Sequence, residues 1–328
     1  MKTRILSFVL ILGITAFNIT GCGGGGNGSS SGESAGGDDI SAGWDSPLMM
    51  HVVDDVSQAN WEQTVRQLSG AEPVQLNGEP VYITSRDAHT PGSAQAAAYL
   101  RGRLESMGFA VTSQPFSCED VISENLLVRL PGSGGNSSRV VLGAHYDSTN
   151  DEDYWDSPGA NDNASGAAAV LEAARVLNGH RFTHPIDIVF FGAEEVDFCG
   201  AYAYVDDAQA SGAVIIGAII LDMIGSYNAN YQLTIEGEEE YRGWMGYAAE
   251  AISRYSNLDA AQTFESSDSD HVVFQQNGIP AYLLLTSDFD DSYYHTTDDT
   301  AAHIQSDFGY QATRAAVGAA AQSALIIE

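Results

Sequence analysis

The run Val140-Val141-Leu142-Gly143-Ala144-His145-Tyr146-Asp147 decides how this chain is read. Its first five residues are apolar in succession, without the polar alternation of a half-exposed strand, so a strand covered on both faces is expected. Where that strand stops, a histidine and an aspartate follow. The same construction recurs twice: 186–191 runs through Gly192-Ala193 into Glu194-Glu195, and 218–221 runs into Asp222. A strand fixes position while the loop after it frees a side chain, which is why α/β domains build sites at strand ends. Working outward, further strands are expected at 110–116, 126–130, 231–235 and 281–285. Helical spacing appears at 58–68, 93–107, 164–177, 241–255 and 308–326. This alternation predicts an α/β fold: a three-layer α/β/α domain around a central mixed, mostly parallel sheet.

The 328 residues carry 13 Lys+Arg against 44 Asp+Glu, a net charge of -31, and no basic cluster. Phosphate backbones repel such a chain, so nucleic acid is excluded as a partner. With 44% hydrophobic and 17% charged residues it can bury a large core. Residues 1–21 read as a signal peptide, with Lys2 and Arg4 ahead of an apolar run too short to span a bilayer. Ile19-Thr20-Gly21-Cys22 resembles a bacterial lipobox, which implies lipid on Cys22 and membrane contact through that lipid only. Gly23 in place of an aspartate resembles an outer-membrane or cell-surface lipoprotein. Residues 22–44 are Gly/Ser-rich and read as a flexible tether, leaving 45–328 as the catalytic domain. Without residues 1–21 the chain has 11 basic and 44 acidic residues, net -33, and no lysine. That excess reads as an acidic solvated surface rather than a steering device. Cys118 and Cys199 remain; export permits them to pair, and the sequence leaves the pairing open.

Two more segments carry chemistry. Gly159-Ala160-Asn161-Asp162-Asn163-Ala164-Ser165-Gly166 places Asp162 ahead of a small-residue helix, and His295 stands in a polar loop before the last helix. Singly, these are helix caps. Together with the strand ends they give two histidines and several carboxylates, a nitrogen and oxygen set suited to zinc.

In their order, the motifs His145-Tyr146-Asp147-Ser148, Asp162-Asn163-Ala164-Ser165-Gly166, Glu194-Glu195, Leu221-Asp222-Met223, Ser269-Asp270-His271 and His295-Thr296-Thr297-Asp298-Asp299-Thr300 resemble the co-catalytic zinc aminopeptidases. Glutaminyl cyclases are relatives in that superfamily. Upstream, Arg86 with Thr90-Pro91-Gly92-Ser93 is a weaker match. The resemblance implies two zinc ions bridged by Asp162, with His145 and Asp222 completing one site and Glu195 and His295 the other. It implies Glu194 as general base toward a zinc-activated water, and a cis peptide at Asp162-Asn163. Asp147 would orient His145, with Asp270 in support beside the pocket. Met223 and Tyr294 flank ligands and are candidates for the pocket wall.

The implied activity is removal of the first residue from peptides with a free N-terminus. Cyclisation of N-terminal glutamine with a single zinc is the alternative, and a binding lipoprotein on the same fold a third reading. One stretch departs from the bacterial leucine aminopeptidase pattern. Where that pattern has a cysteine pair and a tyrosine, this chain has Phe264-Glu265-Ser266-Ser267-Asp268, which points from leucine-like first residues toward basic or polar ones. Oligomeric state is not legible.

Overall fold

Alternate side chains of the central strands enter two different apolar clusters, which is why these strands show no polar alternation. Val140 and Leu142 pack into a large cluster on one face of the sheet, and Val141 into a smaller one on the other. Ile186, Ile188 and Phe190 likewise join the large cluster, Val189 and Phe191 the small one.

The computed structural model describes residues 43–133, 138–225, 231–264, 268–286 and 293–327. The expected signal peptide, Cys22, nearly all of the tether and Glu265 lie outside the described residues. Ile40–Glu328 groups as one unit. Its strands are β1 (Val74–Leu76), β2 (Glu79–Val81), β3 (Thr112–Cys118), β4 (Val121–Leu130), β5 (Arg139–His145), β6 (Ile186–Phe191), β7 (Ile215–Leu221), β8 (Gln232–Glu236), β9 (Asp259–Thr263) and β10 (Ala281–Thr286). β1 and β2 form a small hairpin, and the other eight make one sheet in the order β3-β4-β6-β5-β7-β10-β8-β9. The inner strands β6, β5, β7 and β10 are mutually parallel, while β4 and β8 run antiparallel to their inner neighbours. The expected mixed, mostly parallel sheet is present. Because the inner strands share one direction, the residues after their carboxyl ends converge.

The helices are α1 (Pro47–Asp54), α2 (Gln58–Leu68), α3 (Pro91–Ser106), α4 (Gly166–Leu177), α5 (Cys199–Ala210), α6 (Arg242–Tyr255), α7 (His271–Gln276) and α8 (Ser306–Ser323). Residues of α1, α2, α3, α4, α6 and α8 fill the large cluster. Tyr204 and Val205 of α5, with Val273 and Phe274 of α7, cover the opposite face, giving three layers.

All seven expected strands and five expected helices are found with ends moved by a few residues. The sequence reading missed α1, α5, α7, β9 and the hairpin. α1 and α7 are too short to show a helical period, and α5 buries mostly alanine and glycine. β9 reads Asp-Ala-Ala-Gln-Thr and lies largely exposed at a sheet edge, so no apolar run marks it. Cys118 and Cys199 are joined by a disulfide that ties the end of β3 to the start of α5, with Cα atoms 6.1 Å apart.

Candidate metal centre

Beyond the carboxyl ends of the parallel strands the chain gathers histidines and carboxylates with almost no other cation. His145 is the last residue of β5, Asp222 follows β7, and Glu194-Glu195 follow β6 after two small residues. Asp162 precedes α4, and His295 lies in the loop before α8. All five residues expected to bind metal are brought together. His145 Nε2 stands 3.3 Å from Asp162 Oδ1 and 3.3 Å from Asp222 Oδ1. His295 Nε2 stands 3.3 Å from Asp162 Oδ2 and 3.2 Å from Glu195 Oε2. Asp162 therefore turns one oxygen to each histidine. Glu194 Oε2 is farther from His145 Nε2, at 3.8 Å.

These separations fit a tetrahedral ion, since zinc bonds of 2.0–2.1 Å place neighbouring ligand atoms about 3.3–3.4 Å apart. His145, Glu194 and Asp222, and also His145, Asp162 and Glu195, offer donor atoms that all lie within 4.8 Å of one another. Both ring nitrogens of His145, His295 Nε2, Asp222 Oδ1 and Glu195 Oε1 are buried without a hydrogen-bond partner among the described residues. Buried polar atoms are rarely left so, and a shared cation satisfies them together.

Neighbouring residues hold this arrangement in place. Asp147 Oδ1 lies 3.5 Å from His145 Nδ1. The same carboxylate accepts hydrogen bonds from the backbone N–H of Glu194 (3.1 Å) and of Glu195 (3.2 Å), so one buried side chain orients three site residues. Ser269 Oγ donates to Asp222 Oδ2 at 2.9 Å. The Asp162-Asn163 peptide is cis, as the resemblance implied. Asn163 Nδ2 donates to the carbonyl of Leu221, and its Oδ1 accepts from Gly166 N, tying the start of α4 to the end of β7. A Cβ on Gly166 would collide with Asn163 Oδ1 and Leu221 O, which explains the glycine.

Two residues matter more than the sequence suggested. Arg86, readable as a surface charge, is fully buried and donates to the carbonyls of Leu68 (2.9 Å), Tyr146 (2.8 Å), Pro158 (2.5 Å) and Gly159 (2.7 Å). Burial lowers its pKa to about 10, against the opposing field of Asp299 and Asp162. Asp299 had no assigned role beyond its motif. Its two oxygens accept from Asn161 N (2.8 Å) and Asp162 N (2.9 Å), joining the His295 loop to the segment that carries Asp162. The polar tail of the His295 motif was the available signal.

The electrostatics follow from burial and a shortage of positive charge. Burial pushes the Glu194 carboxyl well above its ordinary range, and Glu195 and Asp270 add to this against the pull of His145. Asp270 is fully buried with both oxygens unpartnered among the described residues, and burial raises it strongly. Glu195 is pushed up to about 7 by burial and by Asp162. Asp162 itself is lowered; burial opposes its charge, but hydrogen bonds to His145 and His295 overcome it. His271 is driven down to about 4 by burial. A cavity of about 290 Å³ opens beside these groups, lined by Asp162, Glu194, Glu195, Asp222, Met223 and Tyr294 among others.

Residues 125–320 match Peptidase family M28, and the chain belongs to that family. It is 32% identical over 194 residues to leupeptin-inactivating enzyme 1 of Streptomyces exfoliatus, across 57% of this chain and 41% of that protein. It is 30% identical over 192 residues to aminopeptidase YwaD of Bacillus subtilis, across 56% of this chain and 40% of that protein. The chain thus spans less than half the length of these two relatives. Its fold is shared with the LapA aminopeptidase of Legionella pneumophila, at TM-score 0.73 and 21% identity over 86% of this chain and 75% of that one. It is shared also with BSAP, a zinc aminopeptidase from Bacillus subtilis, at TM-score 0.70 and 17% identity over 82% and 96%.

Proposed function

We propose that this member of peptidase family M28 is a zinc aminopeptidase that hydrolyses the first peptide bond of substrates with a free N-terminus. The observation that carries the reading is Asp162, whose two oxygens lie 3.3 Å from two different histidines. In this reading two zinc ions are held, one by His145, Asp162 and Asp222, the other by Asp162, Glu195 and His295. Zinc so held supplies Lewis acidity that polarises the scissile carbonyl and makes an attacking water acidic.

The chain's own residues do the rest. Glu194 takes the proton from the attacking water and delivers it to the nitrogen of the leaving amine, so the water's oxygen ends on the carbonyl carbon as the C–N bond breaks. Its burial suits the task, because a carboxyl raised toward neutrality both accepts and returns a proton readily. Asp147 keeps the base in register through the backbone N–H of Glu194. A site rich in carboxylates also favours a substrate end that is itself a cation, as an α-ammonium is. The test uses the zinc-loaded protein with aminoacyl anilides. Release of the free amino acid supports the reading; ammonia loss from N-terminal glutamine without hydrolysis would replace it with the cyclase.

In the same proposal residues 1–21 are removed on export and lipid on Cys22 holds the protein at the outer membrane or cell surface. The Cys118–Cys199 disulfide supports this, since such bonds persist in oxidising compartments. Cys22→Ser should leave the membrane fraction; retention there would contradict the anchor.

A further inference from the structure

The cavity beside the candidate metal centre has two kinds of wall. Met223, Leu283 and Leu285 offer apolar surface from the ends of β7 and β10. Asp268 lines the same cavity and is exposed. Among the described residues Asp268 enters no ion pair. The arginines near it in sequence and space are engaged elsewhere: Arg242 lies 3.2 Å from Glu239 and over the ring of Phe264, and Arg254 pairs with Glu250 and Asp45. Without residues 1–21 there is no lysine anywhere in the chain to neutralise it.

An apolar channel that ends in a solvated carboxylate matches one kind of side chain. Lysine and arginine lay their aliphatic stems on apolar surface and keep the charged head in water, where a carboxylate can pair with it. At about 290 Å³ the cavity has room for a single long side chain rather than an extended ligand. A purely apolar first residue would use the leucine and methionine walls and leave Asp268 without a partner. We infer that the cavity receives the side chain of the substrate's first residue and that Asp268 makes it select long cationic side chains, arginine and lysine, over neutral ones of the same length. This inference rests on the aminopeptidase reading above and specifies its substrate class. The acidic excess of the chain acts in the same direction by drawing cationic peptides toward it.

The test compares kcat/KM for the 4-nitroanilides of arginine, lysine, norleucine and leucine, using the zinc-loaded protein and its Asp268→Asn and Asp268→Glu variants. Norleucine keeps the stem and lacks the charge. The expected wild-type ratio of arginine or lysine to norleucine is about three- to tenfold, the scale of a solvent-facing ion pair. Asp268→Asn should bring that ratio close to one, Asp268→Glu should retain part of it, and high salt should shrink it in the wild type. A wild-type preference for norleucine or leucine overturns the inference and leaves the peptidase reading standing. So does a ratio that Asp268→Asn does not move. Turnover of none of the four anilides overturns the peptidase reading itself, and this inference with it.

Discussion

Strand β6 has buried carboxylates at both ends, and the two ends differ in how those charges are met. At its start Asp187 is almost completely buried, yet Arg129 chelates it at 2.5 and 2.8 Å, Arg139 reaches it at 2.8 Å and Tyr204 donates at 2.8 Å. Burial would raise its pKa, but the two guanidinium groups hold it below the ordinary value. Past the other end, Glu194, Asp270 and Asp222 are buried with no arginine hydrogen-bonded to their carboxylates, and all three are raised. The first cluster is closed: every charge has its counterpart within the chain. The second leaves donor atoms unpartnered and is completed by a cation from outside, which separates a structural charge cluster from a metal centre.

Substitutions at each end sharpen or break that contrast. The largest effect is expected from Glu194→Gln, which should retain zinc by elemental analysis while turnover of aminoacyl anilides falls by about 10²- to 10⁴-fold. Full activity would make Glu194 a bystander. At the closed end, Asp187→Ala should lower stability in urea by about 3 kcal/mol by leaving two guanidinium groups unpaired, with zinc content unchanged. Because the folded pKa of Asp187 is lowered, its stabilisation is present above the unfolded value of 3.8 and fades as pH falls through the folded value. The gap between wild type and Asp187→Ala should therefore close in acid; a gap independent of pH would deny the ion pairs their role. The smallest effect is expected at Asp299, which touches the site only through backbone N–H groups. Asp299→Ala should weaken zinc about tenfold in competition with a chelator, the usual scale for groups that orient ligands. Unchanged affinity would show that the Asp162 segment keeps its place without it.

Strand ends made most of the open cluster legible in sequence. Apolar runs at 140–144, 186–191 and 218–221 each lead into metal-competent side chains, and the fold places all of them together. What stayed hidden was contact across long sequence distance. Arg86 binds carbonyls up to 73 residues away, and nothing local distinguishes such an arginine from a surface one. Asp147 was legible as a partner of His145, but its grip on the N–H groups of Glu194 and Glu195 depends on strands β5 and β6 lying side by side. The closed cluster was unread for the same reason, since Arg129, Arg139 and Asp187 come from three strands. Helix α5 escaped because small residues bury well yet carry little periodic signal.

The central claim is that Asp162 serves two metals at once, and zinc per chain in the wild type and in Asp162→Asn tests it most directly. Two zinc ions per wild-type chain, falling below one in Asp162→Asn while the variant stays folded, is the expected result. A single zinc in the wild type, or two retained without the Asp162 carboxylate, would contradict it.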